Sequence, residues 1–207
     1  MRHYIITGNV AAGKSWILRH LEELFPNASV YPEFIHNDEV ALAILKRRFN
    51  NTISGLTFQN FIMDKWVLNS KLPQSEINIY ERLPDDAVEV FAKAFLTNEE
   101  YIIQEKRLNE LRMLPSYKDM NTNNCTWIRY NNDPLNSNIN ALIDELKLID
   151  SEFVVIEVTS PNYYSKYIMR NREGERYSQK DLDAIEEMYK VYTKKLRDMI
   201  NPKYIDL

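Results

Sequence analysis

The stretch Gly8-Asn9-Val10-Ala11-Ala12-Gly13-Lys14-Ser15 decides the fold of this chain, because it fits the pattern G-x-x-x-x-G-K-[ST] at every fixed position. Residues 3–7 before it have the pattern of a short buried strand, and residues 16–25 after it have that of a helix. A strand, a tight glycine loop and a helix N-terminus together form a phosphate cradle, because backbone N–H groups and helix-end charge face the phosphate oxygens. The sequence therefore predicts a nucleoside triphosphate site in which Lys14 reaches the terminal phosphates and the Ser15 hydroxyl contacts Mg²⁺.

The loop and the first residues of the helix are the expected nucleotide-binding residues. They are Gly8, Asn9, Ala11, Ala12, Gly13, Lys14, Ser15 and Trp16. The alternative is a chance match in an ordinary strand-to-helix turn, which the strand and the helix on either side disfavour.

Composition narrows the class of protein. The chain has 207 residues, enough for one α/β domain with a full core. Its formal net charge of −4 argues against a basic nucleic-acid-binding surface. The single cysteine, Cys125, excludes an internal disulfide and fits a reducing compartment. No apolar run approaches membrane-spanning length and the first strand begins almost at Met1, so we expect a cytoplasmic protein without nucleic-acid or membrane partners.

Strands and helices alternate along the chain, which is the pattern of a parallel sheet with right-handed crossovers. The predicted strands are residues 3–7, 29–33, 76–80, 153–158 and 203–207, and the main predicted helices are residues 16–25, 38–49, 56–68, 85–95, 98–113 and 181–199. We therefore predict a single α/β domain over residues 1–207, with a five-stranded parallel sheet flanked by helices. Ligands bind at the carboxyl ends of such strands, so the glycine loop, Glu33 and Glu81-Arg82 should meet in one cleft.

Residues 114–138 do not fit this alternation and are predicted to be an insertion. The segment is rich in asparagine. Within it, Cys125-Thr126-Trp127-Ile128-Arg129-Tyr130 could form an added strand.

Five segments in order resemble the deoxyribonucleoside kinase family, the group that contains deoxycytidine, deoxyguanosine and mitochondrial-type thymidine kinases. The resemblance covers almost the whole chain apart from residues 115–138, and the phosphate loop is its most specific part. The matching segments are Gly8 to Ser15, Tyr31-Pro32-Glu33, Thr57-Phe58-Gln59-Asn60-Phe61, Tyr80-Glu81-Arg82, and Tyr167-Ile168-Met169-Arg170-Asn171-Arg172-Glu173-Gly174-Glu175.

Glu33 is the candidate general base on chemical grounds as well. A 5′-hydroxyl is a poor nucleophile at neutral pH, and a carboxylate within hydrogen-bond reach accepts its proton as the new bond forms. Arg82 is expected to pair with Glu33 and to orient the hydroxyl, and the resemblance implies that Glu81 supports Mg²⁺ beside Ser15. The alternatives are an exposed loop acid at position 33 and a surface charge pair at positions 81 and 82.

Residues 166–180 are similar to the family's arginine-rich lid. A transferred phosphoryl group spreads negative charge over its oxygens, so cationic side chains are its main catalytic partners. Arg170 and Arg172 suit that role, with Lys166 and Arg176 as possible additions. The alternative is a solvated basic helix end. The resemblance also allows Glu175 to reach the sugar 3′-hydroxyl.

The expected nucleoside pocket departs from the family pattern. Gln59 can form paired hydrogen bonds with a base edge, but Trp66 stands where relatives carry Arg or Met, and Ala87 stands in place of an acid. The region that usually supplies a tyrosine for the sugar carries Phe49 instead. We predict that Phe49, Gln59, Trp66 and Glu175 bind the substrate and that thymidine or a range of pyrimidines is preferred. The alternative for Trp66 and Gln59 is a structural role on the helix.

These observations predict an enzyme that transfers the γ-phosphate of Mg²⁺-bound ATP to the 5′-hydroxyl of a deoxyribonucleoside. One alternative is a nucleoside monophosphate kinase, which has the same loop, sheet and lid but needs cationic side chains that bind the phosphate of its acceptor. Arg47 and Arg48 could supply those cations, so this alternative stays open. The other is a nucleotide-binding regulator, which needs neither a base nor a lid. The family resemblance implies a homodimer.

Overall fold

A six-stranded sheet forms the centre of the computed structural model, which describes residues 1–33, 35, 38–72, 74–114, 124–133, 138–170 and 175–207. Its strands in chain order are β1 (Arg2–Thr7), β2 (Ser29–Tyr31), β3 (Ile77–Glu81), β4 (Cys125–Asn131), β5 (Phe153–Thr159) and β6 (Lys203–Asp206). They lie in the order β2-β3-β1-β5-β4-β6, and every neighbouring pair is parallel. The predicted parallel α/β architecture is confirmed.

The predicted number of five strands was wrong, because β4 belongs to the interior of the sheet. It pairs with β5 over its whole length and with β6 on its other side. Trp127 and Ile128 on β4 are fully buried, and aromatic and β-branched residues favour such strands. Part of the segment predicted to be an insertion is therefore a central strand, and its carboxyl end lies at the same edge of the sheet as the phosphate loop.

Helices cover both faces of the sheet. They are α1 (Lys14–Leu24), α2 (Glu39–Phe49), α3 (Gly55–Asn69), a π-helix (Asp86–Ala92) that continues as α4 (Lys93–Phe95), α5 (Asn98–Arg112), α6 (Ile139–Leu148), α7 (Tyr163–Arg170) and α8 (Gln179–Ile200). Several start where a side chain caps the first turn. Thr97 and Ser178 form capping boxes with Glu100 and Asp181, and Asp38 accepts from the backbone of Val40 and Ala41.

The core lies on both sides of the sheet because parallel strands are buried on two faces. On one side, alternate residues of β1 such as Tyr4 and Ile6 pack against α1 and α6. On the other side, Ile5 and Trp127 pack towards α8. No helix among the described residues combines the length and apolar character that crossing a membrane requires.

Candidate active site

A cavity of about 300 Å³ lies at the carboxyl ends of β1, β2 and β3. Phosphate-loop residues line one part of it and residues of α3 and the π-helix line another. The predicted site residues on its wall are Ala11, Gly13, Lys14, Ser15, Trp16, Glu33, Gln59, Trp66, Glu81, Arg82 and Glu175. Most of the residues predicted from separate motifs thus border one space.

The two glycines of the phosphate loop are required by its geometry. Gly8 and Gly13 have φ angles of +135° and +104°, which L side chains rarely adopt. A Cβ atom would lie 2.2 Å from the carbonyl oxygen of Val158 at position 8, and 2.0 Å from Nδ2 of Asn132 at position 13. The loop therefore holds its shape only with glycine at both positions.

Lys14 and Ser15 start helix α1 and point into the site. The Lys14 side chain is almost fully buried, and its Nζ donates to the carbonyl of Asn9 at 2.7 Å. Asn9 is itself held by Glu186 of α8, because its Nδ2 donates to Oε2 of that residue at 2.8 Å. Asn9, Gly8 and Ala12 belong to the loop and support it without lining the cavity.

Ser15 and Glu81 form the part of the site that suits a magnesium ion. The Ser15 hydroxyl donates to Oε1 of Glu81 at 2.9 Å, so a hydroxyl and a carboxylate lie side by side at the end of β3. Mg²⁺ prefers hard oxygen ligands and is often held by one or two protein oxygens together with substrate phosphates. Among the described residues, no group of three or more His, Cys, Asp or Glu side chains could hold a metal by itself. The pair fits an ion that arrives with phosphate ligands.

Glu33 and Arg82 form an ion pair at the base of the cavity. The Arg82 Nε donates to Oε1 of Glu33 at 2.9 Å, and its NH1 group donates to the carbonyl of Gly8 at 3.2 Å and to the Tyr189 hydroxyl. The guanidinium also lies 4.9 Å from the ring centre of Phe91. Burial alone would lower the pKa of Arg82, but the nearby charges, with Glu33 first, raise it above its ordinary value. The Glu33 carboxylate is therefore held beside the phosphate loop by a permanent cation.

The backbone at Arg82 is unusual. Its φ angle is +73°, which is uncommon for a residue with a side chain and is often found at functional sites. The conformation is supported on both sides. The Arg82 N–H donates to the carbonyl of Ile6 at 2.9 Å, and the N–H of Leu83 donates to the buried carboxylate of Asp86 at 2.8 Å. Asp86 also accepts from the Thr7 hydroxyl, so it fixes the turn after β3 and lies outside the cavity.

Gln59 and Trp66 line the main cavity on the side formed by α3 and the π-helix. Gln59 is buried, and its Nε2 donates to the carbonyl of Ala87 in the π-helix. Trp66 is 5% exposed and packs with Ile62 and Val88 in a hydrophobic cluster. Trp66 therefore belongs to the core and to the cavity wall at the same time, so the two interpretations from the sequence are compatible.

Phe49 does not line the main cavity. It borders a smaller adjoining cavity of about 180 Å³ and packs edge-on against Tyr177, with ring centres 4.9 Å apart. Tyr177 lines both cavities and is held in place by Phe95 and by Tyr167, whose hydroxyl accepts from the Tyr177 N–H at 2.7 Å. Sequence analysis missed Tyr177, because its position depends on contacts between distant segments and no local pattern marks it.

The predicted lid is described only in part. The Arg170 side chain and Arg172 lie outside the described residues, so the predicted clamp stays a prediction. Lys166 and Glu175 line the main cavity. Arg176 lines the adjoining cavity instead, where its NH1 group lies 3.4 Å from Oδ1 of Asn50.

The fold of this chain occurs in solved structures of other proteins. No protein-family model and no curated protein sequence matches the chain. Among solved structures, the chain is similar to a deoxyadenosine kinase from M. mycoides, solved with its products dCMP and a flexible dCDP bound. The similarity has a TM-score of 0.67 at 12% sequence identity, and it covers 99% of this chain and 88% of the other. The motifs indicated a resemblance to deoxynucleoside kinases, and the chain shares the fold of this solved member of that group.

Proposed function

We propose that this chain is a deoxynucleoside kinase that transfers the γ-phosphate of Mg²⁺-bound ATP to the 5′-hydroxyl of a deoxyribonucleoside. One observation carries the proposal: the Glu33 carboxylate, paired with Arg82 at 2.9 Å, lines the same cavity as Lys14 and Ser15. A hydroxyl acceptor needs a proton acceptor beside the phosphate site, whereas a phosphate acceptor needs a cation there. The fold shared with a deoxyadenosine kinase supports the same assignment.

Each group has a defined part in the proposed reaction. The oxygen of the 5′-hydroxyl forms a bond to the γ-phosphorus while the bond from that phosphorus to the bridging oxygen breaks, which leaves ADP. Glu33 accepts the hydroxyl proton as the new bond forms, and Arg82 keeps the carboxylate oriented. Lys14 would leave the Asn9 carbonyl for the terminal phosphates, where its charge stabilises the negative oxygens.

Ser15 and Glu81 are the residues proposed to hold Mg²⁺. A bound magnesium ion neutralises phosphate charge and orients the β- and γ-phosphate oxygens. The Ser15 hydroxyl is the direct ligand expected from the loop pattern, and Glu81 at 2.9 Å orients that hydroxyl by accepting its hydrogen bond.

The side of the main cavity formed by α3 and the π-helix supports a base with a paired donor and acceptor edge. One N–H of Gln59 is used by the Ala87 carbonyl, so in the described part of the chain the amide oxygen and the second N–H remain for a ligand. Thymine offers O4 and N3–H to such an amide. We therefore extend the proposal to pyrimidine deoxynucleosides, with the Trp66 ring as the flat wall of the pocket.

The distribution of cations supports a hydroxyl acceptor over a monophosphate. Arg48 lines the adjoining cavity, and Arg47 is exposed on α2. The Arg82 guanidinium lies in the main cavity, but it is occupied by Glu33. Arg19 is the other arginine on the wall of the main cavity in the described part of the chain, and its Nε donates to the Ser15 carbonyl at 3.3 Å. A monophosphate kinase would need an arginine free at the acceptor phosphate.

A phosphate-transfer screen tests the proposal. The wild-type chain with ATP and Mg²⁺ is incubated with each of the four common deoxynucleosides and with each of their monophosphates, and products are separated by chromatography. Lys14→Ala serves as the blank for contaminating kinases. We expect deoxynucleoside 5′-monophosphates, with pyrimidines phosphorylated best. Phosphorylation of monophosphates alone would establish the other kinase class, and ATP binding without any transfer would favour a regulator.

A further inference from the structure

Asn132 follows directly after β4 and connects this strand to the phosphate loop. Its backbone N–H donates to the carbonyl of Thr159 at 2.8 Å, which extends the ladder between β4 and β5 by one residue. Its side chain then reaches across the end of β5, and Nδ2 donates to the carbonyl of Ala12 at 2.7 Å. The residue that follows β4, which the sequence indicated only as a strand that could be added, thus contacts the loop directly.

The contact fixes the orientation of one loop peptide. The C=O and N–H groups of a trans peptide point in opposite directions. Because the Ala12 carbonyl faces Asn132, the N–H of Gly13 in the same peptide faces away from it. Gly13 lines the main cavity beside Lys14, where the phosphates of a donor would bind. The absence of a side chain at Gly13 also makes room for the amide, since a Cβ would lie 2.0 Å from Nδ2.

Asn132 also contacts the helix that leads into the predicted lid. Its backbone carbonyl accepts a hydrogen bond from Nζ of Lys166 on α7, and Lys166 lines the main cavity. The two contacts use different parts of Asn132: the side chain holds the loop, and the backbone holds the lysine. Substitution of the side chain therefore tests the loop contact and leaves an acceptor for Lys166.

We infer that Asn132 is a positioning residue of the donor site, whose amide holds the Ala12–Gly13 peptide so that the Gly13 N–H faces the triphosphate. It raises the affinity for the donor without contacting the acceptor. The inference rests on the proposed function in one respect, since it takes the phosphate loop to be the donor site. A purely structural role, in which the amide only ties two loops together, predicts a loss of stability with unchanged donor affinity.

The test measures ATP binding directly by isothermal titration calorimetry with Mg²⁺, in the wild type, Asn132→Ala and Asn132→Asp. Asn132→Ala removes the hydrogen bond, and we expect ATP to bind roughly five- to tenfold more weakly, the usual worth of one hydrogen bond. Asn132→Asp keeps the shape but puts a carboxylate against a carbonyl and near the phosphates, so ATP should bind more weakly still. The KM for the deoxynucleoside should stay within twofold in both variants.

Asn138→Ala is the matched control. Its Oδ1 accepts from the N–H of Ala141 and caps α6, so its removal costs stability away from the phosphate loop. ATP affinity should be unchanged in this variant. The inference would be overturned if Asn132→Asp bound ATP with wild-type affinity, or if Asn138→Ala lost as much ATP affinity as Asn132→Ala. Should Asn132→Ala fail to fold, Asn132→Asp still gives the test, because aspartate has the shape of asparagine. A wild-type chain that binds ATP but phosphorylates nothing would refute the proposed function alone.

Discussion

Replacement of Arg82 by lysine should damage both stability and turnover. Arg82 is 6% exposed, and its guanidinium donates to Glu33, to the Gly8 carbonyl and to the Tyr189 hydroxyl. A lysine keeps the charge but lacks the planar fork, so it can keep about one of these contacts. At about 1–1.5 kcal/mol for each of the two lost hydrogen bonds, the free energy of unfolding should fall by roughly 2–3 kcal/mol.

The lost geometry should also affect catalysis. With Glu33 held at one point instead of by an oriented fork, the carboxylate can rotate away from the acceptor hydroxyl. We expect kcat to fall about ten- to a hundredfold, the scale of a misplaced catalytic group. Urea unfolding and steady-state kinetics of Arg82→Lys measure the two effects in the same preparation.

Arg107→Lys is the control for this substitution. Arg107 donates a hydrogen bond to Oδ1 of Asn60 and forms an ion pair with Asp64, whose side chain is 67% exposed. The pair with the exposed Asp64 contributes about 0–1 kcal/mol, and Arg107 does not line the main cavity. We therefore expect kcat to be unchanged and the loss of stability to be smaller than in Arg82→Lys. If Arg82→Lys behaves like Arg107→Lys in both assays, the fork does not hold Glu33 and the reasoning fails.

Three further outcomes are expected. Lys14→Ala should reduce kcat/KM by the same factor for every acceptor, because Lys14 contacts the shared donor; a selective loss for one acceptor in a kinetic comparison would contradict the assignment. Trp66→Met should change the ranking of kcat/KM among the four deoxynucleosides because the indole forms a wall of the pocket, and an unchanged ranking would leave Trp66 with a core role alone. Burial raises the pKa of the Cys125 thiol to about 11, so at pH 8 the thiol is protonated and should resist iodoacetamide until urea unfolds the chain; rapid alkylation of the folded protein, seen by mass spectrometry, would disagree.

The sequence was sufficient where the signal is local. The glycine loop has a fixed pattern, and a strand and a helix flank it, so the cradle could be predicted without long-range information. Glu33 and Glu81 line one cavity, and the sequence could indicate this because the carboxyl ends of parallel strands meet at one edge of the sheet.

Other features depend on contacts between distant segments and left no local pattern. The sequence analysis assigned β4 to an insertion because the stretch around it is rich in asparagine. Only its pairing with β5 and β6 shows that it lies inside the sheet. Tyr177 reaches the cavity from the C-terminal part of the predicted lid, and Asn132 reaches the phosphate loop from the residue after β4. Phe49 was expected on the wall of the pocket, but it lies behind Tyr177. The π-helix that presents Ala87 to Gln59 has no sequence signature of its own.

Turnover and ATP affinity of Glu33→Gln test the central claim most directly. Glutamine keeps the size of the side chain and loses its ability to accept a proton, so turnover should fall about a hundredfold or more, the usual worth of a positioned base. ATP affinity, measured by calorimetry, should be unchanged, because the base does not contact the donor. Glu89→Gln is the control, because Glu89 is a buried carboxylate that pairs with Lys195 outside the cavity. This variant should keep wild-type turnover. Near-normal turnover in Glu33→Gln would contradict the claim that Glu33 activates a hydroxyl acceptor.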